Sequence, residues 1–240
     1  MSNRFYFNLF ATPPHLCNYL PNRQATTVFV DPAVVKNVAL YDTLSQYGFR
    51  RSGNILYRPQ CYGCEACIPV RVPVQQFIPR RSQRRVWQKN RDLQVVAKHS
   101  QFHAEHFNLY GRYLAARHST GSIEDKPTPH SYMESLSSHW STTVFYEFRV
   151  AQRLVAVAVV DHLKGGLSAV YTFFEPELEW RSLGVYAVLW EIEEAKHLQR
   201  DWLYLGYWIQ ECQKMSYKIE YRPIEVFYQG RWQVLLMDNG

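Results

Sequence analysis

The sequence has no long apolar run. Its longest clean one, LVAVAVV at 154–160, is far short of the roughly 20 residues needed to cross a bilayer, so a membrane-spanning protein is not expected. The first residues, MSNRFYFNLFATPP, lack an uninterrupted apolar core and a small-residue cleavage site, which argues against secretion. Cysteine is scarce and odd in number, five in 240 residues. Three of the five are crowded together, where pairing among themselves would be strained. A reducing, cytoplasmic setting fits better than a disulfide framework. There is no internal repeat and no low-complexity tract. Acidic side chains are outnumbered, 21 against 27 basic ones, for a formal charge of +6 and a pI near 9.0. That balance favours an anionic partner, nucleic acid first.

What is present is a globular composition, 47% apolar and 15% aromatic, in a chain long enough to bury a sizeable core. The first half is rich in loops and prolines. VVKNVALYDTLSQYGF (34–49) and SQFHAEHFNLYGRYLAARHS (100–119) have helical spacing. CIPVRVPV is extended because each proline pushes its predecessor out of the helical region. TGSIEDKPTPHS (120–131) is a loop, and the chain is expected to divide there into 1–125 and 126–240. The second half predicts three strands (142–150, 153–163, 167–174) joined by tight turns. A helix over SLGVYAVLWEIEEAKHLQ follows, with Glu191, Glu194 and Lys196 off its apolar stripe, then a strand at WLYLGYWI and a final extended stretch. The class is α+β.

Three constellations carry chemistry. Cys61, Cys64 and Cys67 form C-x2-C-x2-C, and Cys17 is the candidate fourth ligand, a set suited to an iron–sulfur cluster or zinc. Cys212, in the other half, reads as an isolated buried thiol. FIPRRSQRRVWQKNRDL (77–93) places Arg80, Arg81, Arg84, Arg85, Lys89 and Arg91 around Trp87, a phosphate-binding face with an aromatic handle. RSLGVYA (181–187) fits R-x-x-G-x-x-A at a helix start, where Arg181, Ser182 and the backbone beside Gly184 can meet a phosphate or carbonyl oxygen. Acyltransferases of the GNAT fold use such a loop after a strand meander. His99, His103 and His106 share a predicted helix face and read as interfacial histidines rather than ligands.

RQATTVFVDP (23–32), YGFRRSGNILYRPQCYGCEACIPVRV (47–72), RRSQRRVWQKNRDL, LYGRYLAARHSTGS (109–122), VYTFFEPELEWRSLGVYAVLWEI (170–192) and LYLGYWIQECQKMSYKIEYRPIE (203–225) together resemble the arginyl-tRNA–protein transferase family, most of all its bacterial aspartate/glutamate leucyltransferase branch. The resemblance runs from about residue 15 to residue 235. It implies a cytoplasmic aminoacyltransferase that moves leucine from leucyl-tRNA to the N-terminal amine of proteins starting with Asp or Glu, marking them for degradation as N-degrons. It also implies a GNAT-like fold in the C-terminal half, behind a loop-rich, cysteine-containing N-terminal region, and no small organic cofactor. Relatives in eukaryotes carry Cys-x-x-Cys near the N-terminus and can hold an iron–sulfur cluster there. Here Cys17 is kept and Leu20 stands at the second position, with Cys67 as its replacement.

The implied reaction is ester aminolysis. An α-amine with a pKa of about 7.7–8.0 is partly neutral at cytoplasmic pH, so no strong base is required and positioning and oxyanion stabilisation carry the rate. By analogy of fold, the backbone N–H groups around Leu183–Val185 are the stabiliser. Gly184 permits the approach, Tyr186 and Tyr207 are candidate proton relays, and Tyr171 and Tyr204 are candidate walls of the acyl pocket. Arg71 or Arg222 is an alternative reader of the acceptor carboxylate. Arginyl transfer, a CoA-dependent GNAT N-acetyltransferase and a non-catalytic tRNA-binding protein are the competing functions.

Overall fold

β10 (Arg153–His162) is buried on both faces, and the architecture is built around it. The computed structural model describes residues 7–117 and 127–236. Ala156, Ala158 and Val160 of β10 point into one core, and Leu154, Val157 and Val159 into another. A register shift between Leu154 and Ala156 turns Val155 to the first side as well. Burial on both sides explains why this strand reads as a continuous apolar run rather than an alternation.

β10 pairs antiparallel with β9 (Thr143–Val150) and with β11 (Gly166–Phe174), giving the expected meander. β8 (Gln94–His99) extends the sheet beyond β9. On the other side β11 pairs parallel with β12 (Trp202–Trp208), after the crossover helix α5 (Leu183–His197). β7 (Ile68–Pro73) and the hairpin of β13 (Glu225–Tyr228) and β14 (Arg231–Val234) complete eight strands in the order β14-β13-β7-β12-β11-β10-β9-β8. Gly166 is required where β12 passes: a Cβ there would lie 2.5 Å from the Trp202 carbonyl oxygen.

Helices α2 (Arg81–Lys89) and α5 cover one face of this sheet. On the other face lie α3 (Ala104–Arg117) and α4 (Pro129–Leu136) over β9–β11. Beside them α1 (Val38–Ser45) packs with a four-stranded antiparallel sheet of β1 (Leu9–Ala11), β4 (Thr27–Val30), β6 (Ile55–Pro59) and β5 (Arg50–Ser52). A small hairpin of β2 (His15–Leu16) and β3 (Gln24–Ala25) carries Cys17 between its strands, directly after β2.

Several expectations change. The helix expected over 34–49 starts only at Val38, because Asn37 caps it: its Oδ1 accepts from the Leu40 N–H at 2.9 Å. The helix expected from 100 starts at Ala104, which leaves His99 in a strand and His103 outside the helix. Part of 120–131 begins α4, where Thr128 caps and Pro129 opens the helix. The boundary at 125/126 lies outside the described residues. The large sheet nevertheless draws β7 and β8 from before it, with β7 inserted between β12 and β13, so the two halves share one core.

Candidate active site

β11 and β12 stay paired over only three residues, Gly166–Ser168 against Trp202–Tyr204. Beyond that point β12 continues along β7 as far as Trp208, while β11 runs on to Phe174 beside β10. The two parallel strands therefore part and leave a cleft. Arg50 of β5 holds the point of divergence: its guanidinium donates to Ser168 Oγ at 2.8 Å, to the Tyr204 carbonyl at 3.4 Å and to the Ala169 carbonyl.

Glu191 of α5 is fully buried at the same place, and neither of its carboxylate oxygens has a hydrogen-bond partner. Burial pushes its carboxyl up to about 8, with Arg50 acting in the opposite direction. Tyr217 lies within electrostatic reach of Glu191, Tyr113, Arg117 and Arg50. Aromatic rings continue outward from there: Tyr113 packs against Phe174 at 5.0 Å and against Tyr171 at 6.3 Å, and Arg117 stands over the Tyr113 ring at 4.9 Å. Lys218 is also buried nearby. Desolvation, helped by Arg50, lowers its ammonium to about 7, and Nζ donates to the Tyr207 carbonyl at 2.6 Å.

The start of α5 forms the rim. Ser182 enters the helix with a left-handed backbone, φ +53°, and its side chain caps nothing. The N–H groups of the first turn are therefore unsatisfied by a side chain. Gly184 faces β11: a Cβ there would stand 3.1 Å from Phe174 Cε1. Helix α2 is fastened beside this rim. Trp87 packs on Tyr186 with ring centres 5.3 Å apart, Lys89 Nζ donates to the Trp180 carbonyl at 2.5 Å, and Asn90 Nδ2 donates to the Arg181 carbonyl at 2.8 Å. The outer side of α2 is a shallow groove of about 500 Å³ lined by Arg81, Arg84, Arg85, Gln88 and Lys89.

The anticipated residues thus separate by role. Arg81, Arg84, Arg85 and Lys89 share one exposed cationic face. Arg80 is instead paired with Glu220. Arg181 is buried and held by Asp92 through two bonds of 2.9 and 2.8 Å. Trp87 and Tyr186 pack into the core. Tyr207 donates its hydroxyl to the Gly48 and Tyr57 carbonyls at 3.0 and 3.2 Å. Tyr204 accepts from Gln46 at 2.6 Å and packs under Trp232 on the α1 side. Tyr171 alone of the four tyrosines lines the aromatic wall with Tyr113. Arg71 is sandwiched between Trp202 and Trp232, 4.0 and 4.3 Å from their ring centres, and bonded to Glu225 at 2.6 Å.

Arg50, Tyr113, Arg117, Glu191 and Tyr217 were not anticipated. By apolar spacing alone, Glu191 falls off the stripe of its helix. It stands seven residues from Gly184 and four from Ala195, on the side that faces the sheet, and that spacing was the available signal.

All five cysteines are free thiols. Cys17 accepts backbone N–H bonds from Tyr19 and Leu20 at 3.5 and 3.4 Å, and Cys61 from Thr26 at 3.4 Å. Burial pushes the Cys67 thiol up to about 12, with Cys61, Cys17, Cys64 and Cys212 adding to the effect. Cys212 is therefore not isolated: Ile68 pairs with Trp208 in the sheet, which brings Cys67 near the chain that leaves β12. Soft donors are present, but among the described residues no three Cys, His, Asp or Glu side chains are arranged to hold one metal ion. His106 is bonded to Glu147 at 2.7 Å, its ring 4.7 Å from that of His103.

Comparison with known proteins bears on the whole chain. The family model for the N terminus of arginine-tRNA-protein transferase matches residues 15–85, and the model for its C terminus matches residues 105–228. The chain belongs to the arginine-tRNA-protein transferase family. Within that family it is 48% identical over 236 residues to the aspartate/glutamate leucyltransferase of Nitrosococcus oceani, covering 98% of this chain and 99% of the other. It is 51% identical to the enzyme of that name from Pseudomonas savastanoi pv. phaseolicola (94% and 96% covered) and 50% identical to that from Hahella chejuensis (97% and 99%). Among solved structures, the C-terminal domain of a lysylphosphatidylglycerol synthetase from Agrobacterium fabrum shares 12% identity at a TM-score of 0.45, covering 61% of this chain and 48% of the other. No helix among the described residues is long and apolar enough to cross a membrane.

Proposed function

We propose that this chain is an aminoacyl-tRNA–protein transferase that moves leucine from leucyl-tRNA to the N-terminal amine of proteins beginning with Asp or Glu, in the cytoplasm, as a step toward their degradation. Near-complete alignment at about half identity with aspartate/glutamate leucyltransferases carries the reading. The geometry supports it: a cationic ridge on α2 leads to the unsatisfied N-terminus of α5, at the edge of a cleft between diverging parallel strands. The meander, the split and the glycine at the helix start support a GNAT-like reading of this α+β fold.

In this reading the phosphates of the acceptor arm lie along Arg81, Arg84, Arg85 and Lys89, and the 3′ end turns into the cleft past Gly184. N–H groups of Leu183–Val185 meet an oxygen of the donor end, which concentrates partial positive charge where negative charge develops. The aromatic wall of Tyr113, Tyr171 and Phe174 receives the aminoacyl side chain. The acceptor nitrogen attacks the ester carbonyl carbon, and the bond from that carbon to the ribose oxygen breaks. The ester is already activated, so the protein has to position two substrates and stabilise one oxyanion.

The test is direct. Purified protein is mixed with a peptide beginning with Asp and with tRNAs charged with labelled Leu, Arg or Phe. Transfer of the leucine label is expected. Transfer of arginine alone would make it an arginyltransferase. Saturable tRNA binding with no transfer would reduce it to a binding protein, and acetyl transfer from acetyl-CoA without tRNA would make it an N-acetyltransferase.

A further inference from the structure

An acceptor amine arrives at neutral pH largely as an ammonium ion and must lose a proton before it can attack. Among the side chains placed around the cleft, the hydroxyl of Tyr207 and the ammonium of Lys218 are spent on backbone carbonyls, and Arg50 on Ser168 and two carbonyls. Glu191 differs. It is wholly enclosed and both oxygens are unpartnered. A buried carboxyl without a partner is costly to the fold and calls for a ligand. Its electrostatic neighbours are Arg50 from β5, Tyr146 from β9, and Tyr217 and Tyr221 from the C-terminal segment. None of the four is hydrogen-bonded to it.

We infer that Glu191 is the acceptor-side proton site: its carboxylate receives the α-ammonium of the incoming protein N-terminus and takes one of its protons. This assignment rests on the transferase reading above. The enclosed carboxyl is protonated in the free protein and gives that proton to solvent as the ammonium pairs with it. One N–H bond then breaks and an O–H bond forms on Glu191. The freed lone pair attacks the ester carbon. A second proton of the same nitrogen passes to the departing ribose oxygen, and Glu191 ends the turnover protonated, as it began. The affinity of the enclosed carboxyl for a proton, raised to about 8, matches the α-amine range of about 7.7–8.0, where proton transfer is most efficient. The donor's own ammonium needs no deprotonation for the reaction, so the acceptor has the stronger claim. Glu191 is covered in the resting protein, and entry of the amine displaces the segment that carries Tyr217.

The test compares wild type with Glu191→Gln, which keeps shape and removes the charge. Calorimetry without tRNA measures binding of a short Asp-initial peptide with a free α-amine and of the same peptide N-acetylated. The wild type is expected to prefer the free amine by about tenfold, and Glu191→Gln to lose that preference. Single-turnover transfer from leucyl-tRNA is expected to fall by about 100-fold or more, with leucyl-tRNA affinity unchanged. Glu191→Asp is expected to give intermediate values in both assays, and it serves as the test variant should the glutamine form not fold. An unchanged amine preference, or transfer at the wild-type rate in Glu191→Gln, overturns the assignment. Lost discrimination between leucyl-tRNA and N-acetyl-leucyl-tRNA, with peptide binding intact, would move Glu191 to the donor side and also overturn it. A wild type that transfers no label defeats the transferase reading separately, and the peptide comparison still decides the role of Glu191.

Discussion

Arg51 and Asp161 are joined by two hydrogen bonds, 2.6 Å from Nε and 2.8 Å from Nη2, with both side chains fully enclosed. The pair ties β5 to β10. Its spare donors are used as well, on the carbonyls of Gly53 and Leu136, and Thr143 Oγ1 donates to the same carboxylate at 2.6 Å. Arg51 precedes the predicted boundary and Asp161 follows it, so this contact joins the two halves. Arg51→Met strands a buried carboxylate and should cost about 3–5 kcal/mol. The double variant Arg51→Met, Asp161→Leu should recover much of that loss. Denaturant unfolding of the three proteins checks both statements.

Gly184 should respond to size through Phe174. A Cβ at 3.1 Å from the ring edge is tight but not impossible, so Gly184→Ala should be mild. Gly184→Val should lower turnover by about tenfold or more, roughly 1.4 kcal/mol on the barrier, with tRNA affinity kept. Adding Phe174→Leu should restore part of the rate. Parallel measurement of tRNA binding and single-turnover rate decides it; equal loss in both would make the contact merely structural.

The cations around α2 should divide by whether a carboxylate already holds them; Arg84 and Lys89 donate only to the Pro79 and Trp180 carbonyls, which leave their charge in place. Arg81→Gln, Arg84→Gln, Arg85→Gln and Lys89→Gln should each reduce the slope of log affinity against log salt by about 1. Arg181→Gln breaks its paired bonds to Asp92, and Arg80→Gln its pairing with Glu220. These two should change melting temperature more than salt slope. Titrations with leucyl-tRNA at several ionic strengths, beside melting curves, separate the groups.

Two buried groups should give stability opposite slopes with pH. Glu191 keeps its proton in the folded state up to about 8, whereas in the unfolded chain it ionises at about 4.3. The folded protein binds more protons across that window, so stability falls as pH rises through it. His106 is held below its ordinary value by burial, with Glu147 opposing. Below about 6.5 the unfolded chain binds this proton first, so stability is lost as pH falls. Glu191→Gln should therefore raise the melting temperature at pH 8 relative to wild type and have little effect near pH 4. His106→Gln should flatten the loss on the acid side. Melting temperatures of the three proteins across pH 4–9 check both signs.

The sequence by itself determined what is local. The meander of β9–β11, the helix α5 after Ser182 and the strand β12 all follow from patterns within a few residues of one another: apolar periodicity, tight turns and a glycine. Family membership was equally legible, because whole motifs such as YGFRRSGNILYRPQCYGCEACIPVRV carry it. The tertiary structure decided what depends on partners far along the chain. β7 pairs with its neighbour β12 across 129 to 138 positions of sequence, as the pairs Trp202 with Pro73 and Tyr207 with Pro69 show, and no local pattern encodes such a partner. Arg80, Arg181, Tyr204 and Tyr207 offered the right functional groups in sequence, but Glu220, Asp92, Gln46 and two carbonyls had already taken them. The reverse holds for Arg50 and Glu191. They look like surface charges on a strand and a helix until β11 and β12 diverge. Whether a charge is solvated, paired or left enclosed and alone depends on the packing of every element around it, and that is set only when the chain has closed on itself.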